Sequence, residues 1–243
     1  MIDIHSHIIY GVDDGPKTKE ESMELLKEAS SQGVTKIIAT PHRRKGMFET
    51  PNNIIKENFI DLKKSVEEYI PNLQIYLGNE LFCTEDIFEK IENNQIFTMN
   101  KTQYVLVEFN YSISFKDMVR KLREIILLGY FPIIAHIERY RAVEYNEKYV
   151  EKLISLGCYI QVNAESILPK KLFKDAHKIS KKRAEYLLKK DLIHIIASDM
   201  HNLDNRKPKM KEAYNEILKK YGKEQAEIYF KENPLRVLKG EEI

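Results

Sequence analysis

The chain has 243 residues, 43% of them hydrophobic, which is enough apolar material for one barrel-sized domain spanning 1–243. Its 39 Lys and Arg nearly cancel 37 Asp and Glu, so no global field argues for nucleic acid or an anionic membrane surface as partner. Two cysteines, Cys83 and Cys158, make no disulfide framework, and no apolar run approaches the roughly 18 residues of a bilayer span. Strand-like sequence begins at Met1, so no signal peptide is expected, and a cytoplasmic protein without membrane insertion follows.

The first strand runs into His5-Ser6-His7 and then Asp13-Asp14-Gly15-Pro16. Residues i and i+2 of a strand share a face, so His5 and His7 can aim two imidazoles at one point, an arrangement suited to a divalent metal. Thr18 with Glu21 three residues on predicts a capping box, and a helix over Lys19 to Gln32 is stopped by Gly33. The β-branched run 35–40 closes on Pro41-His42. A helix pattern from Pro51 to Tyr69 precedes a strand at 73–77, which ends in Gly78-Asn79-Glu80.

The alternation continues along the chain. A short helix over Glu85 to Glu92 leads to a strand at 104–107 ending at Glu108. The amphipathic stretch 114–128 leads to 131–135 and His136. Glu147 to Ser155 precedes 159–162 and Asn163. Residues 175–190 read as helix, and Ile193 to Ala197 runs into Ser198-Asp199-Met200-His201. A last helix, from Pro208 to Tyr221, and a charged tail close the chain. Successive strand-end markers are 27 to 38 residues apart, the length of strand–helix units. Seven such units imply a parallel sheet, and chemistry-bearing residues at nearly every carboxyl end favour a closed or nearly closed barrel over an open sheet with one switch point.

Nine residues gather at those ends: His5, His7, Asp14, His42, Glu80, Glu108, His136, Asp199 and His201. Singly, each reads as an ordinary satisfied polar residue; jointly they are a nitrogen-and-oxygen ligand set too large for one ion. Two or three ions of manganese, iron, magnesium or zinc suit it, with a carboxylate bridging neighbours. Such ions would activate a bridging water and clamp phosphate oxygens, so phosphoester hydrolysis is the first expectation, with amide hydrolysis or deamination second. Arg139 and Arg206 follow two of the histidines and offer phosphate-matching guanidinium forks. The loop Arg43-Arg44-Lys45-Gly46-Met47-Phe48 adds charge and apolar side chains at the expected mouth. His194, at a strand start, and His177, in a lysine-rich helical stretch, are expected to be structural or surface residues.

Cysteine-nucleophile phosphatase chemistry is excluded, because the positions six beyond Cys83 and Cys158 hold Glu89 and Ala164 instead of arginine. No G-x-x-x-x-G-K-[ST] loop or G-x-S-x-G elbow is present.

The motifs His5-Ser6-His7, Asp14-Gly15-Pro16, 41–48, Gly78-Asn79-Glu80, Val107-Glu108-Phe109, 135–140 and 198–202 resemble the bacterial manganese-dependent tyrosine phosphatases of capsule and exopolysaccharide operons. These belong to the polymerase-and-histidinol-phosphatase (PHP) superfamily. The resemblance runs in order from Met1 to about residue 235 and implies an α/β fold, a distorted seven-stranded (β/α)7 TIM-like barrel, holding three manganese ions. It implies a first ion on His5, His7, Glu80 and Asp199, and a second sharing Glu80 with Glu108 and His136. Asp14, His42 and His201 would take the third, although spacing alone does not separate Asp14 from Asp13. Arg139 and Arg206 would bind the phosphoryl group while a metal-bridging hydroxide attacks phosphorus. The implied substrate is the phosphorylated tyrosine-rich tail of a bacterial tyrosine kinase of polysaccharide export, and the implied role is control of capsule or exopolysaccharide biosynthesis. The competing expectations are a small-molecule phosphatase acting on a compound such as histidinol phosphate, and a non-catalytic metal-stabilised module.

Overall fold

The computed structural model describes residues 1–170 and 174–243. It is a mixed α/β fold in which every named strand pairing is parallel. Strands β1 (Ile2–Ser6), β2 (Lys36–Ala39) and β4 (Gln74–Leu77) form one sheet in that order. Strands β3 (His42–Arg43), β5 (Glu80–Phe82), β6 (Tyr104–Glu108), β7 (Phe131–Ile134), β8 (Tyr159–Asn163) and β9 (Ile195–Ala197) form the second. Among the described residues the seven expected strands are thus nine, because two of the runs are broken. Pro41, which lacks an N–H, separates β2 from β3, and its carbonyl accepts from Glu80 N (3.2 Å) and Asn79 Nδ2 (3.0 Å) at the matching break between β4 and β5. The two sheets meet again at the far side, where Ser6 bridges Met200 in parallel, Asp199 N donates to His5 O and His7 N donates to Met200 O.

Helices α1 (Lys19–Ser31), α2 (Asn52–Tyr69), α3 (Asp86–Glu92), α4 (Phe115–Leu127), α5 (Glu147–Ser155), α6 (Ala164–Ile167) and α7 (Lys178–Lys189) occupy the connections. Parallel pairing requires crossovers of this kind. The Thr18 cap forms as expected, accepting from Glu21 N at 3.3 Å, but the Glu21 carboxylate accepts from Lys17 N and not from the cap residue itself. The helix expected from residue 175 begins at Lys178.

The charged tail is a correction. Helix α8 (Met210–Glu227) continues past Tyr221 through a break at Gly222, whose φ of 89° is costly for other residues. A π-helical turn and α9 (Asn233–Lys239) follow, with Tyr229, Phe230, Val237 and Leu238 buried. Sparse apolar residues among many charges conceal this element in the sequence.

Two apolar layers result from the period-2 alternation of the strands. Val105, Val107, Ile134, Ile160, Val162 and Ile196 pack against the helices. Tyr104, Leu106, Ile133, Ala135, Ile195 and Ala197 face a second cluster closed below by Val237 and Leu238 of α9. Continuing that second face by two residues reaches Glu108 on β6 and Asp199 after β9, so the polar residues stand on top of a packed apolar floor.

Candidate metal centre

All nine sequence-selected residues converge at this carboxyl end. Their donor atoms fall into four groups, His7–Asp14–His42–His201, His5–His136–Asp199, His5–His7–Glu80 and His42–Glu80–Glu108, and in each group all lie within 4.8 Å of one another. Strand register accounts for much of this: His42 pairs with Glu80, and Phe82 with Glu108. His136 (φ 34°) and Asp199 (φ 53°) lie just beyond strands in left-handed backbone, a strained conformation for residues with a Cβ. His136 is held there by Gln161 Oε1, which accepts its N–H at 2.8 Å; Asp199 is held by its bond to His5 O.

The site has the electronic form of a cation cradle. Glu80 Oε2 lies 3.0 Å from His42 Nδ1 and 3.3 Å from the Nε2 atoms of both His5 and His7. Yet Glu80 Oε2, Glu108 Oε2, His42 Nδ1 and His201 Nε2 are buried without a hydrogen-bond partner among the described residues. These atoms lie close to one another without a well-formed hydrogen bond, which leaves buried polar capacity for a ligand. His5 Nε2 and His7 Nε2 likewise stand 3.4 Å apart. Nitrogen and oxygen donors without sulfur around such a space fit a divalent ion.

A second ring of bonds sets which imidazole nitrogens face inward. Gln161 Oε1 receives His5 Nδ1 at 3.1 Å, Asp13 Oδ2 receives His7 Nδ1 at 2.7 Å, and Asp199 O receives His201 Nδ1 at 3.0 Å. In the neutral form of each ring, keeping the proton on Nδ1 leaves the Nε2 lone pair for the cluster. Both oxygens of Asp13 are committed, Oδ1 to Gly15 N (2.9 Å) and Oδ2 also to His42 N (3.1 Å). Asp14 Oδ1 instead faces His201 Nε2 at 3.2 Å and His42 Nε2 at 3.5 Å. The two neighbours thus differ in surroundings, Asp13 bonded to His7, His42 N and Gly15 N and Asp14 facing His42 and His201.

Sequence reasoning missed Gln161 and used Asn163 only as a strand marker. Gln161 Nε2 donates to Asn163 Oδ1, and Asn163 Nδ2 to Asp199 Oδ2, so one strand orients His5, His136 and Asp199 together. Two polar residues at i and i+2 on a buried strand were the signal available. His194 behaves as expected: burial pushes it down to about 4, and its Nδ1 accepts from Ile160 N. His177 precedes α7.

Charges in the cluster oppose one another. Burial disfavours a charged His5, but the Glu80 and Asp199 carboxylates outweigh it and push it up to about 9. His42 is pushed up to about 9 against its own burial, chiefly by Glu80. Burial and then the Glu80 charge push Glu108 up to about 7. Burial pushes His136 down to about 4 with help from Arg139, and His201 down to about 4 with help from His7. Burial works against an ionised Asp199, yet Arg139 and His5 hold it well below the usual carboxylate range.

Both selected arginines reach the cluster. Arg139 donates to Asp199 Oδ2 and Arg206 to Asp199 Oδ1, each at 2.8 Å, and Arg206 also contacts Asp14 Oδ2 at 3.2 Å. Their side chains remain a quarter to a third exposed. The 43–48 loop is a hairpin closed by Arg44 and Phe48. Arg43 does not present its charge to the mouth, because it donates to Thr50 O at 2.7 Å, and Arg44 lies 4.1 Å over the Phe82 ring. No helix of the described residues is long and apolar enough to cross a membrane.

Comparison with known proteins adds a lineage to this geometry. The family model for capsular polysaccharide synthesis, CpsB/CapC, matches residues 1–239. The tyrosine-protein phosphatase CpsB of Streptococcus agalactiae is 50% identical over 243 residues, covering 100% of both chains. CpsB of Streptococcus pneumoniae is 49% identical over 238 residues, covering 98% of each. A crystal structure from the pair YwqE of Bacillus subtilis and CpsB of Streptococcus pneumoniae, described as unique metal-dependent tyrosine phosphatases, superposes with a TM-score of 0.89. It is 29% identical and covers 100% of this chain and 96% of its own. This chain belongs to the CpsB/CapC family.

Proposed function

We propose that this chain is a metal-dependent protein-tyrosine phosphatase, a phosphoric monoester hydrolase, acting as one domain over residues 1–243. The single observation that carries the reading is the set of buried, unpartnered Glu80, Glu108, His42 and His201 atoms beside two arginines that share Asp199. We take the fold as a distorted seven-position ring. In it β2 with β3 and β4 with β5 are broken single strands, and the Ser6–Met200 bridge joins the last position to the first.

His5, His7, Glu80 and Asp199 would hold a first manganese ion, Glu80, Glu108 and His136 a second, and Asp14, His42 and His201 a third. Ions bound there would supply Lewis-acid charge and lower the pKa of a coordinated water. The chain supplies the rest. Asp199 uses its two oxygens to hold one N–H each of Arg139 and Arg206, and Arg206 gives another to Asp14 Oδ2, so the other guanidinium N–H groups would serve the oxygens of a phosphoryl group. Gln161, Asp13 and the Asp199 carbonyl keep three imidazoles in the tautomer that presents Nε2. The apolar floor excludes water from below.

The relatives' names support phosphotyrosine on protein as the substrate; the proposed target is the tail of a bacterial tyrosine kinase of polysaccharide export and the proposed process capsule or exopolysaccharide synthesis. Steady-state hydrolysis of a phosphotyrosine peptide, a phosphoserine peptide and histidinol phosphate tests this choice. Phosphotyrosine should have the highest kcat/KM; faster turnover of histidinol phosphate would overturn it.

A further inference from the structure

We propose that Phe48 and Tyr111 form an aromatic clasp over the mouth of the site, which selects aryl over alkyl phosphoryl compounds; the inference rests on the phosphatase reading above. Phe48 lies flat on His42, with ring centroids 4.9 Å apart and planes 9° apart. Tyr111 meets His136 edge to face at 6.5 Å and 67°, and lies 6.2 Å from Tyr140. His42 and His136 approach opposite oxygens of Glu80, each at 3.0 Å, and opposite oxygens of Glu108, at 3.9 and 3.6 Å. Phe48 beyond one imidazole and Tyr111 beyond the other therefore bracket this carboxylate pair from two sides. Tyr111 also lies beside the Arg139 guanidinium.

Both rings are held before any ligand arrives. Phe48 closes the hairpin with Arg44 through N···O bonds of 2.8 and 3.0 Å. Tyr111 sits in a tight turn in which Ile113 N donates to Asn110 O at 2.9 Å and Ser112 N to Asn110 Oδ1 at 3.0 Å. Tyr111 is half exposed and Phe48 partly buried, and rings so placed offer a flat apolar face at small entropic cost. A phosphorylated phenol carries a ring beyond its phosphoryl group that such faces can receive. A phosphorylated serine or threonine has no ring to offer.

The test is calorimetric binding of benzylphosphonate and methylphosphonate to the manganese-reconstituted full chain; the two probes share a head group and differ by the ring. Wild-type protein should favour benzylphosphonate by about tenfold or more, and Tyr111→Ala and Phe48→Leu should each lose about threefold to tenfold of that preference. Methylphosphonate affinity should stay within about twofold, and Tyr111→Phe should keep the wild-type preference. Three results would each overturn the clasp: no preference in the wild type, equal weakening of both probes in the variants, or a Tyr111→Phe protein behaving like Tyr111→Ala. The binding readout needs no turnover, so a wild type that discriminates between the probes but fails to hydrolyse a phosphotyrosine peptide would defeat the phosphatase reading alone.

Discussion

Asp13 and Asp14 are adjacent and chemically identical, yet their surroundings assign them different work, which a matched pair of Asn substitutions resolves. The Asp13 carboxylate is wholly buried and accepts three bonds, from His7 Nδ1, His42 N and Gly15 N. Asp13→Asn keeps the shape but removes the charge and turns an amide N–H toward one of three donors. Losing one charge-assisted bond and leaving another donor unpaired costs about 2–4 kcal/mol. For a chain of this length that corresponds to a Tm lower by roughly 5–15 °C in chelator-treated protein. The Asp14 side chain is 43% exposed and pairs with His201 and Arg206, so Asp14→Asn should change the metal-free stability by no more than about 1 kcal/mol, a Tm shift of roughly 2–4 °C at most. Both should weaken manganese binding, Asp13→Asn by about 10- to 100-fold through a misoriented His7. Differential scanning calorimetry with and without chelator, followed by manganese titration, reads both effects. Equal metal-free losses in the two variants, or a larger loss in Asp14→Asn, would refute the division of labour.

Other consequences follow from the same contacts. Gln161→Ala should leave His5 Nδ1 and His136 N without their acceptor and weaken manganese binding by about 10-fold or more, measured by competition with a chelating dye. Arg139→Lys should lower kcat on a phosphotyrosine peptide by about 100-fold, since an ammonium cannot hold Asp199 and a phosphoryl oxygen in one plane; unchanged kcat would remove Arg139 from the chemistry. His5 and His42, at about 9 in the folded chain against 6.5 unfolded, bind more protons when folded. Their contribution to metal-free stability is full below pH 6.5 and is lost as the pH rises through 9, so the chelated protein should melt lower at pH 9 than at pH 7. Manganese affinity should move the other way over that interval, because bound imidazoles must be deprotonated. Phe230→Ala should cost about 3–5 kcal/mol by urea unfolding if the C-terminal helices belong to the core, and a negligible cost would restore the solvated tail.

How much of this was legible depends on which physical signal each residue carries. His42, Glu80, Glu108, His136 and Asp199 each end or follow an apolar, β-branched run, and regular spacing puts such ends on one face, so their convergence could be anticipated. The breaks at Pro41 and Asn79 could not, because a two-residue strand such as His42–Arg43 is too short to show periodicity. Gln161 and Asn163 show themselves only as polar residues alternating on a buried strand, and nothing along the chain reveals the groups that they and Asp13 bind. Arg43 looked like mouth charge because composition does not show that its guanidinium folds back onto Thr50 O. The C-terminal helices were hidden by the opposite effect: Tyr229, Phe230, Val237 and Leu238 are few among lysines and glutamates, but tertiary packing buries them.

The central claim is that this cluster holds ions for phosphotyrosine hydrolysis, and one titration tests it most directly. Chelator-stripped protein would be titrated with manganese while phosphate release from a phosphotyrosine peptide and bound metal are followed together, with His136→Ala alongside. The account predicts no turnover without metal, activity rising with occupancy in the wild type, and loss of that activity in the variant. Phosphate release from metal-free protein, or full manganese-dependent activity in His136→Ala, would contradict it.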